Sequence, residues 1–227
     1  MAIQLYALLT QIPGMEPPEM TLTETLIDLW KTTGFMAYPL AFCLLLGIVV
    51  IVIKFVILTN KSIKTKKVLL EVDELLTQRD ISAALELTRD SDAPAANILY
   101  AGLERHDEGT ERVAKAIENQ GLLEMSKMEK GLVVLATLTN VAPLLGFLGT
   151  VIGMIEAFQS IENAGEVEAQ LVAGGIKIAL QTTAAGLMIA IPVSIGHNYF
   201  VSRVDALVIE MEEAAQKLVD TLYNTGS

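Results

Sequence analysis

Small and hydroxyl-bearing residues recur at helical spacing in two long uncharged runs of this sequence, Gly131 to Ile155 and Ile178 to Ser202. The first set is Thr139, Pro143, Gly146, Thr150 and Gly153; the second is Gly175, Ala179, Thr183, Gly186 and Ala190, with Thr182 beside it. Steps of three and four residues place each set on one face of a helix. Threonine hydroxyls on such a face can relay or orient protons, although they do not ionise near neutral pH.

The same faces also have a purely structural interpretation. Small residues let helix backbones approach closely, and a threonine can bond the carbonyl four residues before it. Neither run contains Asp, Glu, Lys or Arg at mid-depth, whereas a protonatable carboxylate is the usual relay in a proton path. If the protein conducts protons, the titrating group is therefore expected on a partner. Pro143 and Pro192 either kink their helices or are merely tolerated there.

Other candidate chemistry is sparse. Lys177 precedes the second run and is interpreted as an interfacial lysine, with an entrance charge as the alternative. His197 is a lone histidine near the other end of that run, which favours an interfacial role over a proton relay. No metal-ligand constellation, phosphate loop or spaced nucleophile–base set is apparent. We therefore expect neither enzymatic activity nor a bound cofactor. We interpret the single cysteine, Cys43, as a packing residue.

The elements that must position these residues are membrane spans. Each uncharged run has 25 residues, enough to cross the roughly 30 Å apolar core of a bilayer. A further apolar span, Phe35 to Leu58, has Lys54 as its only charge, which we expect to snorkel to the interface. The chain is 52% hydrophobic with a mean hydropathy of +0.48, typical of an integral membrane protein. Its net charge of -11 and lack of a large basic patch argue against nucleic-acid binding.

The sequence predicts an all-α integral membrane protein with three transmembrane helices and long cytoplasmic helical extensions. Four lysines follow the first span: Lys61, Lys64, Lys66 and Lys67. The basic residues that flank the second and third spans indicate the same orientation. The positive-inside rule then places the N-terminus outside and the C-terminus inside. The predicted organisation is an external segment with an amphipathic helix (1–34), TM1 (35–58), a cytoplasmic helical domain (59–130), TM2 (131–158), an external loop (159–177), TM3 (178–202) and a cytoplasmic C-terminal helix (203–227).

Several local signals predict helix starts. The sequence Thr21-Leu22-Thr23-Glu24 has the spacing of a capping box and opens the external amphipathic helix. Asp80 is predicted to cap a helix through Leu87, and Pro94 suits the first turn of a helix through Glu104. Thr110 is predicted to cap a helix that continues through Ile117, Leu122 and Met125 toward the second span without a proline. Since three helices cannot enclose a polar face alone, a homo-oligomer with cyclic symmetry is the simple closure.

The segment from Ala142 to Gly153, APLLGFLGTVIG, resembles the signature of the ExbB/TolQ/MotA ion-channel family. So do Gly175-Ile176 and the residues from Ala179 to Pro192, ALQTTAAGLMIAIP. Three spans, an external N-terminus and a large inner loop resemble the ExbB and TolQ branches more than the four-span MotA branch. The resemblance is specific over residues 130–203 and only architectural elsewhere.

The resemblance implies a pentamer in the bacterial inner membrane around a single-span ExbD/TolR-like dimer that carries an essential Asp. It also implies a periplasmic partner similar to TonB or TolA. By the same resemblance, Thr150 and Thr183 would line the ion route near that Asp, with Thr182, Gly146, Gly153 and Gly186 as further pathway or partner-facing candidates. The sequence departs from the family at Ile178, where ExbB-type proteins often have Glu. The transported ion is expected to be H+, with Na+ still open.

The leading functional hypothesis is an ion-conducting subunit, with H+ as the expected ion, of an inner-membrane motor that energises a periplasmic or outer-membrane process such as TonB-dependent transport. The alternative is a membrane scaffold that anchors a partner and conducts nothing. A secondary transporter is disfavoured because three spans are few and no inverted repeat is visible. An intramembrane enzyme is weaker still, since no nucleophile–base pair is apparent.

Overall fold

A computed structural model describes residues 34–78, 80–165 and 169–225. Within these ranges the chain is helical and forms no strand, which confirms the all-α prediction. The helices are α1 (Ala37–Thr77), α2 (Ile81–Arg89), α3 (Pro94–Leu103), α4 (Thr110–Glu129), α5 (Leu132–Ala164) and α6 (Ala169–Thr225), with short 3-10 helices at Gly34–Met36 and His106–Glu108. The external amphipathic helix predicted around Thr21 lies outside the described residues.

Three of these helices, α1, α5 and α6, are long and apolar enough to cross a membrane. The prediction of three spanning helices is therefore confirmed. All three are longer than a bilayer requires. Residues 159–164 of α5 and 169–177 of α6, assigned above to the external loop, are also helical. Helix ends consequently do not mark the membrane boundaries, and the limits of the spans stay predictions.

The described residues divide into two compact units, 34–40 with 145–165 and 169–186, and 41–78 with 80–144 and 187–225. The second unit has a hydrophobic core to which α1, α2, α3, α4 and α6 all contribute. Its buried members are Val68, Val72, Leu76, Ala84, Ala93, Ala96, Leu99, Leu103, Val113, Leu218 and Leu222. Burial of these side chains gives the charged helices that follow the first span a core of their own.

Two of the predicted helix starts are confirmed. The Asp80 side chain caps α2, since its Oδ1 accepts a hydrogen bond of 3.0 Å from the amide of Ala83. Pro94 is the first residue of α3, where its missing N–H costs no helical hydrogen bond. In both cases a single residue type satisfies a requirement local to the helix end, so the sequence alone is informative.

One expectation for α4 is wrong and another is confirmed. Thr110 is the first helical residue and does not cap the helix; the capping position is Gly109, at a φ of 94° that disfavours a side chain. The helix does continue through Ile117, Leu122 and Met125 toward the second span. It ends at Glu129, and Gly131 adopts a φ of 88° before α5 begins. A glycine in this left-handed region is a common way for a helix to end.

Lys54, which the sequence predicts to snorkel to the interface, is buried within the protein. Its side chain is only 5% exposed, and Nζ donates a 2.7 Å hydrogen bond to the carbonyl of Met128. Because α4 stops one residue later, that carbonyl lacks the helical donor that a continuing helix would supply. The ammonium group replaces the donor and also interacts favourably with the negative end of the helix dipole.

We predict that Lys54→Met lowers the stability of the protein in detergent. The substitution keeps the length of the side chain but leaves the Met128 carbonyl buried without a donor, which costs about 1–3 kcal/mol. Thermal unfolding should show a lower Tm than wild type. Lys64→Met is the matched control, since Lys64 lies exposed on the same helix; equal Tm values for the two variants would contradict the bond's role.

Candidate functional site

The two threonines singled out by the sequence meet between α5 and α6. Thr150 and Thr183 are 33 residues apart in the sequence, yet their Oγ1 atoms are hydrogen-bonded to each other. Both side chains are half-buried in the isolated chain. The structure therefore joins one hydroxyl from each polar helix into a single pair.

Two backbone carbonyls complete a cluster of four oxygen atoms around this pair. Thr150 Oγ1 lies 3.3 Å from the carbonyl oxygen of Gly146 and 3.4 Å from that of Ala179. Thr183 Oγ1 lies 3.3 Å from the same Gly146 oxygen. The Gly146 carbonyl is thus within reach of both hydroxyls.

This geometry allows the hydrogen bonds to reverse direction. Each hydroxyl has one hydrogen and two lone pairs. In one arrangement Thr150 donates to Thr183, which donates to Gly146; in the other Thr183 donates to Thr150, which donates to Gly146 or Ala179. Both arrangements give each hydrogen an acceptor, as a proton relay requires. The four oxygens are also the kind of ligand that replaces the hydration shell of a cation in channels.

Glycines make the close approach of the two helices possible. A Cβ placed on Gly146 would lie 3.1 Å from the carbonyl oxygen of Thr182 and 3.2 Å from the Cα of Thr183. A Cβ on Gly149 would overlap the methyl group of Thr182. Only residues without a side chain let the backbones come this near, and that distance brings the two hydroxyls together.

The same contact continues along both helices. Gly153 packs against Ala179, and Gly175 against Ala157, where an added Cβ would overlap the Ala157 methyl group. Three glycines predicted as pathway or partner-facing residues are buried: Gly146, Gly153 and Gly186. The structure gives them a packing role, and any contact with an ion or partner stays a prediction.

The remaining candidates are not brought into the hydroxyl pair. Thr182 is 1% exposed, and its hydroxyl donates to the carbonyl of Ile178, four residues earlier, at 2.9 Å. Lys177 is exposed. Pro143 and Pro192 lie inside α5 and α6, which continue through them. His197 is half-buried, with Nδ1 3.3 Å from Asn198 Oδ1.

The hydrogen bonds of the Thr150–Thr183 pair involve only hydroxyl and carbonyl oxygens within the described part of the chain. No ionisable side chain takes part in them. The described residues also contain no group of three His, Cys, Asp or Glu side chains placed to hold a metal ion.

Sequence reasoning missed two parts of the site. Gly149 was not selected, although it lies three residues from Gly146 and shares its freedom from a side chain. The carbonyls of Gly146 and Ala179 carry no sequence signal at all, because every residue has one and only the packed backbone shows which of them faces a hydroxyl.

The part of the chain that contains the site is similar in sequence to known proteins. Residues 90–213 match the MotA/TolQ/ExbB proton channel family. The chain is 28% identical over 203 residues to a Methanothermobacter thermautotrophicus protein named as an ExbB homolog of biopolymer transport, covering 89% of this chain and 70% of that one. It is 32% identical over 190 residues to an ExbB-like protein of Synechocystis, covering 78% and 72%. A Vibrio cholerae biopolymer transport protein, exbB1, is 28% identical over 197 residues, covering 83% and 85%.

We predict that Gly149→Ala disrupts the contact between α5 and α6. The new methyl group would overlap the Thr182 side chain, so the helices must separate, at a cost of about 1–3 kcal/mol for overpacking. Thermal unfolding in detergent should show a lower Tm. Gly174→Ala is the matched control, because a Cβ there meets nothing within 4 Å; a Tm for Gly149→Ala as high as that of the control would contradict the prediction.

Proposed function

Because this chain belongs to the MotA/TolQ/ExbB proton channel family, we propose that it is an ion-conducting subunit of an inner-membrane motor that uses the proton motive force. The observation that supports the proposal is the Thr150–Thr183 pair, in which hydroxyls from two apolar helices are hydrogen-bonded to each other. Polar groups are costly in hydrocarbon and usually face another helix or a polar path, and this pair lies between two of the three helices that could span a membrane.

In the proposed mechanism the pair relays and orients a proton without ionising. Each hydroxyl takes up a proton from the incoming carrier as it passes its own hydrogen to the next acceptor, and the last hydroxyl passes its hydrogen to the partner's carboxylate. Both hydroxyls end neutral, and the hydrogen bonds of the pair end reversed. The reverse arrangement is also fully bonded, so neither state leaves a buried donor without an acceptor. Since the bonds of the pair include no ionisable group, the titrating carboxylate is assigned to a partner protein.

The assembly follows from the same proposal. A cyclic homo-oligomer, proposed to be a pentamer, would enclose a single-span ExbD/TolR-like dimer whose Asp faces the threonine pair. A periplasmic protein similar to TonB or TolA would receive the work, consistent with relatives named as biopolymer transport proteins. Exposed large apolar side chains on α1, such as Phe42 (66%) and Leu45 (64%), fit a surface covered by lipid or by a neighbouring copy.

The proposed orientation places the N-terminus in the periplasm and the C-terminus in the cytoplasm. It is supported by Lys61, Lys64, Lys66 and Lys67 in the part of α1 that follows the first apolar span. The cluster of two hydroxyl and two carbonyl oxygens also suits Na+. Variants at this site can therefore be tested for conduction of either cation. A channel subunit of this kind performs no covalent chemistry and is not an enzyme.

We predict that Thr150→Val with Thr183→Val lowers ion flux about tenfold or more in proteoliposomes that contain the chain and its single-span partner. Valine keeps the branched shape of threonine and removes the hydroxyl, so the relay is lost. Because two facing methyl groups need more room than two hydrogen-bonded oxygens, the Tm of the variant is measured beside its flux and must match wild type for the loss to be assigned to the hydroxyls. The measurement compares a proton gradient with a sodium gradient for each protein, which names the ion that the wild type conducts.

Thr77→Val is the matched control. The Thr77 hydroxyl bonds only its own helix, at the Asp73 carbonyl (2.8 Å), in the charged extension of α1. Wild-type flux in the double variant would remove the pair from the pathway. No flux in the intact wild-type complex under either gradient, in an assay where a known family complex conducts, would favour the non-conducting scaffold.

A further inference from the structure

Asn140 is an amide on the surface of an apolar span. It lies in α5 eight residues after Leu132, about 12 Å from the start of the helix, and its side chain is exposed. Its neighbours on that face one turn away in each direction are Thr137 and Leu144, both exposed as well. A polar side chain inside a transmembrane segment faces protein or a water-filled cavity, because hydrocarbon offers it no hydrogen bonds.

The hydrogen bonds of this face leave acceptors pointing away from the helix. Asn140 Nδ2 donates to the carbonyl of Ala136 at 3.0 Å, and Thr137 Oγ1 donates to the carbonyl of Val133 at 2.8 Å. The only hydroxyl hydrogen of Thr137 and one of the two amide hydrogens of Asn140 are therefore committed to their own helix. What remains for an outside ligand is chiefly the oxygen atoms, Asn140 Oδ1 and Thr137 Oγ1.

An acceptor-rich face favours a cation or the hydrogens of water over another transmembrane helix. An Asn that holds two helices together typically bonds across the interface, whereas here the amide donor is turned back onto its own backbone. Helix α1 provides a contrast, since the exposed residue at the same distance from its first residue is apolar: Leu45 lies eight residues after Ala37.

We propose that Asn140, assisted by Thr137, lines a water-filled vestibule in the cytoplasmic half of the channel and binds the conducted monovalent cation, hydrated, through side-chain oxygens. This inference rests on the proposed function, because the cation is the one that the channel conducts. It adds a binding face on α5 whose residues lie outside the Thr150–Thr183 pair and whose main ligand is an amide side chain.

Thiol labelling tests the vestibule. The full chain is expressed with its single-span partner in inside-out membrane vesicles, with Cys43, the single cysteine, replaced by alanine. A charged, membrane-impermeant methanethiosulfonate should label Asn140→Cys about tenfold faster or more than Val52→Cys, which is 56% exposed in an apolar span. Leu135→Cys, at a fully buried position of the same helix, is the second control. Labelling of Asn140→Cys no faster than Val52→Cys would overturn the proposal and would instead favour lipid or a second copy at this face.

Ion flux tests the cation site. Asn140→Leu should lower flux several-fold, while Asn140→Ser, which restores an outward oxygen, should recover most of it. Full flux in Asn140→Leu would overturn cation binding by the amide. Flux in the wild type together with an unreactive Asn140→Cys would sink this inference alone, whereas absence of flux in the wild type would sink the proposed function, and labelling can be read in either case.

Discussion

The close contact between α5 and α6 is the constraint on which the candidate site depends. At Gly149 the backbone has room for no side chain, because the Thr182 methyl group occupies the position of a Cβ. In a bilayer, helices gain no hydrophobic driving force from associating, so such packing must come from van der Waals contact and polar bonds between small residues. The Thr150–Thr183 bond exists because this contact sets the distance between the helices, and the bond in turn stabilises the contact.

A second constraint operates where α4 ends and α5 begins. Gly131 allows the backbone to turn at a positive φ, and the carbonyl of Met128 is left without a helical donor. Lys54 reaches this carbonyl from α1 and remains buried there. The charge of Lys54 in an apolar span is therefore explained by its bond to a helix end. This explanation involves no ion pathway, unlike the role proposed for the hydroxyl pair.

The sequence predicts what depends on composition and spacing. Long apolar runs indicated three spanning helices, and the steps between Thr139, Gly146 and Thr150 indicated a shared face. Asp80 and Pro94 were sufficient for two helix starts, since capping is local. The interruption at Gly131 and the burial of Lys54 were missed because they depend on which distant backbone atom lies near a side chain. For the same reason the carbonyls of Gly146 and Ala179 were found only in the folded structure, and Gly149 was passed over although its neighbours were selected.

The choice of threonine at both positions of the pair has a dynamic consequence. A β-branched side chain in a helix has few χ1 rotamers, so holding the two oxygens in place costs little conformational entropy. With the carbon skeleton fixed between packed helices, rotation of the O–H bonds is the main freedom left to the pair. Local rotations of this size take picoseconds to nanoseconds, far faster than collective motions of whole helices. The hydrogen bonds of the pair can thus change direction without any movement of the helix backbones.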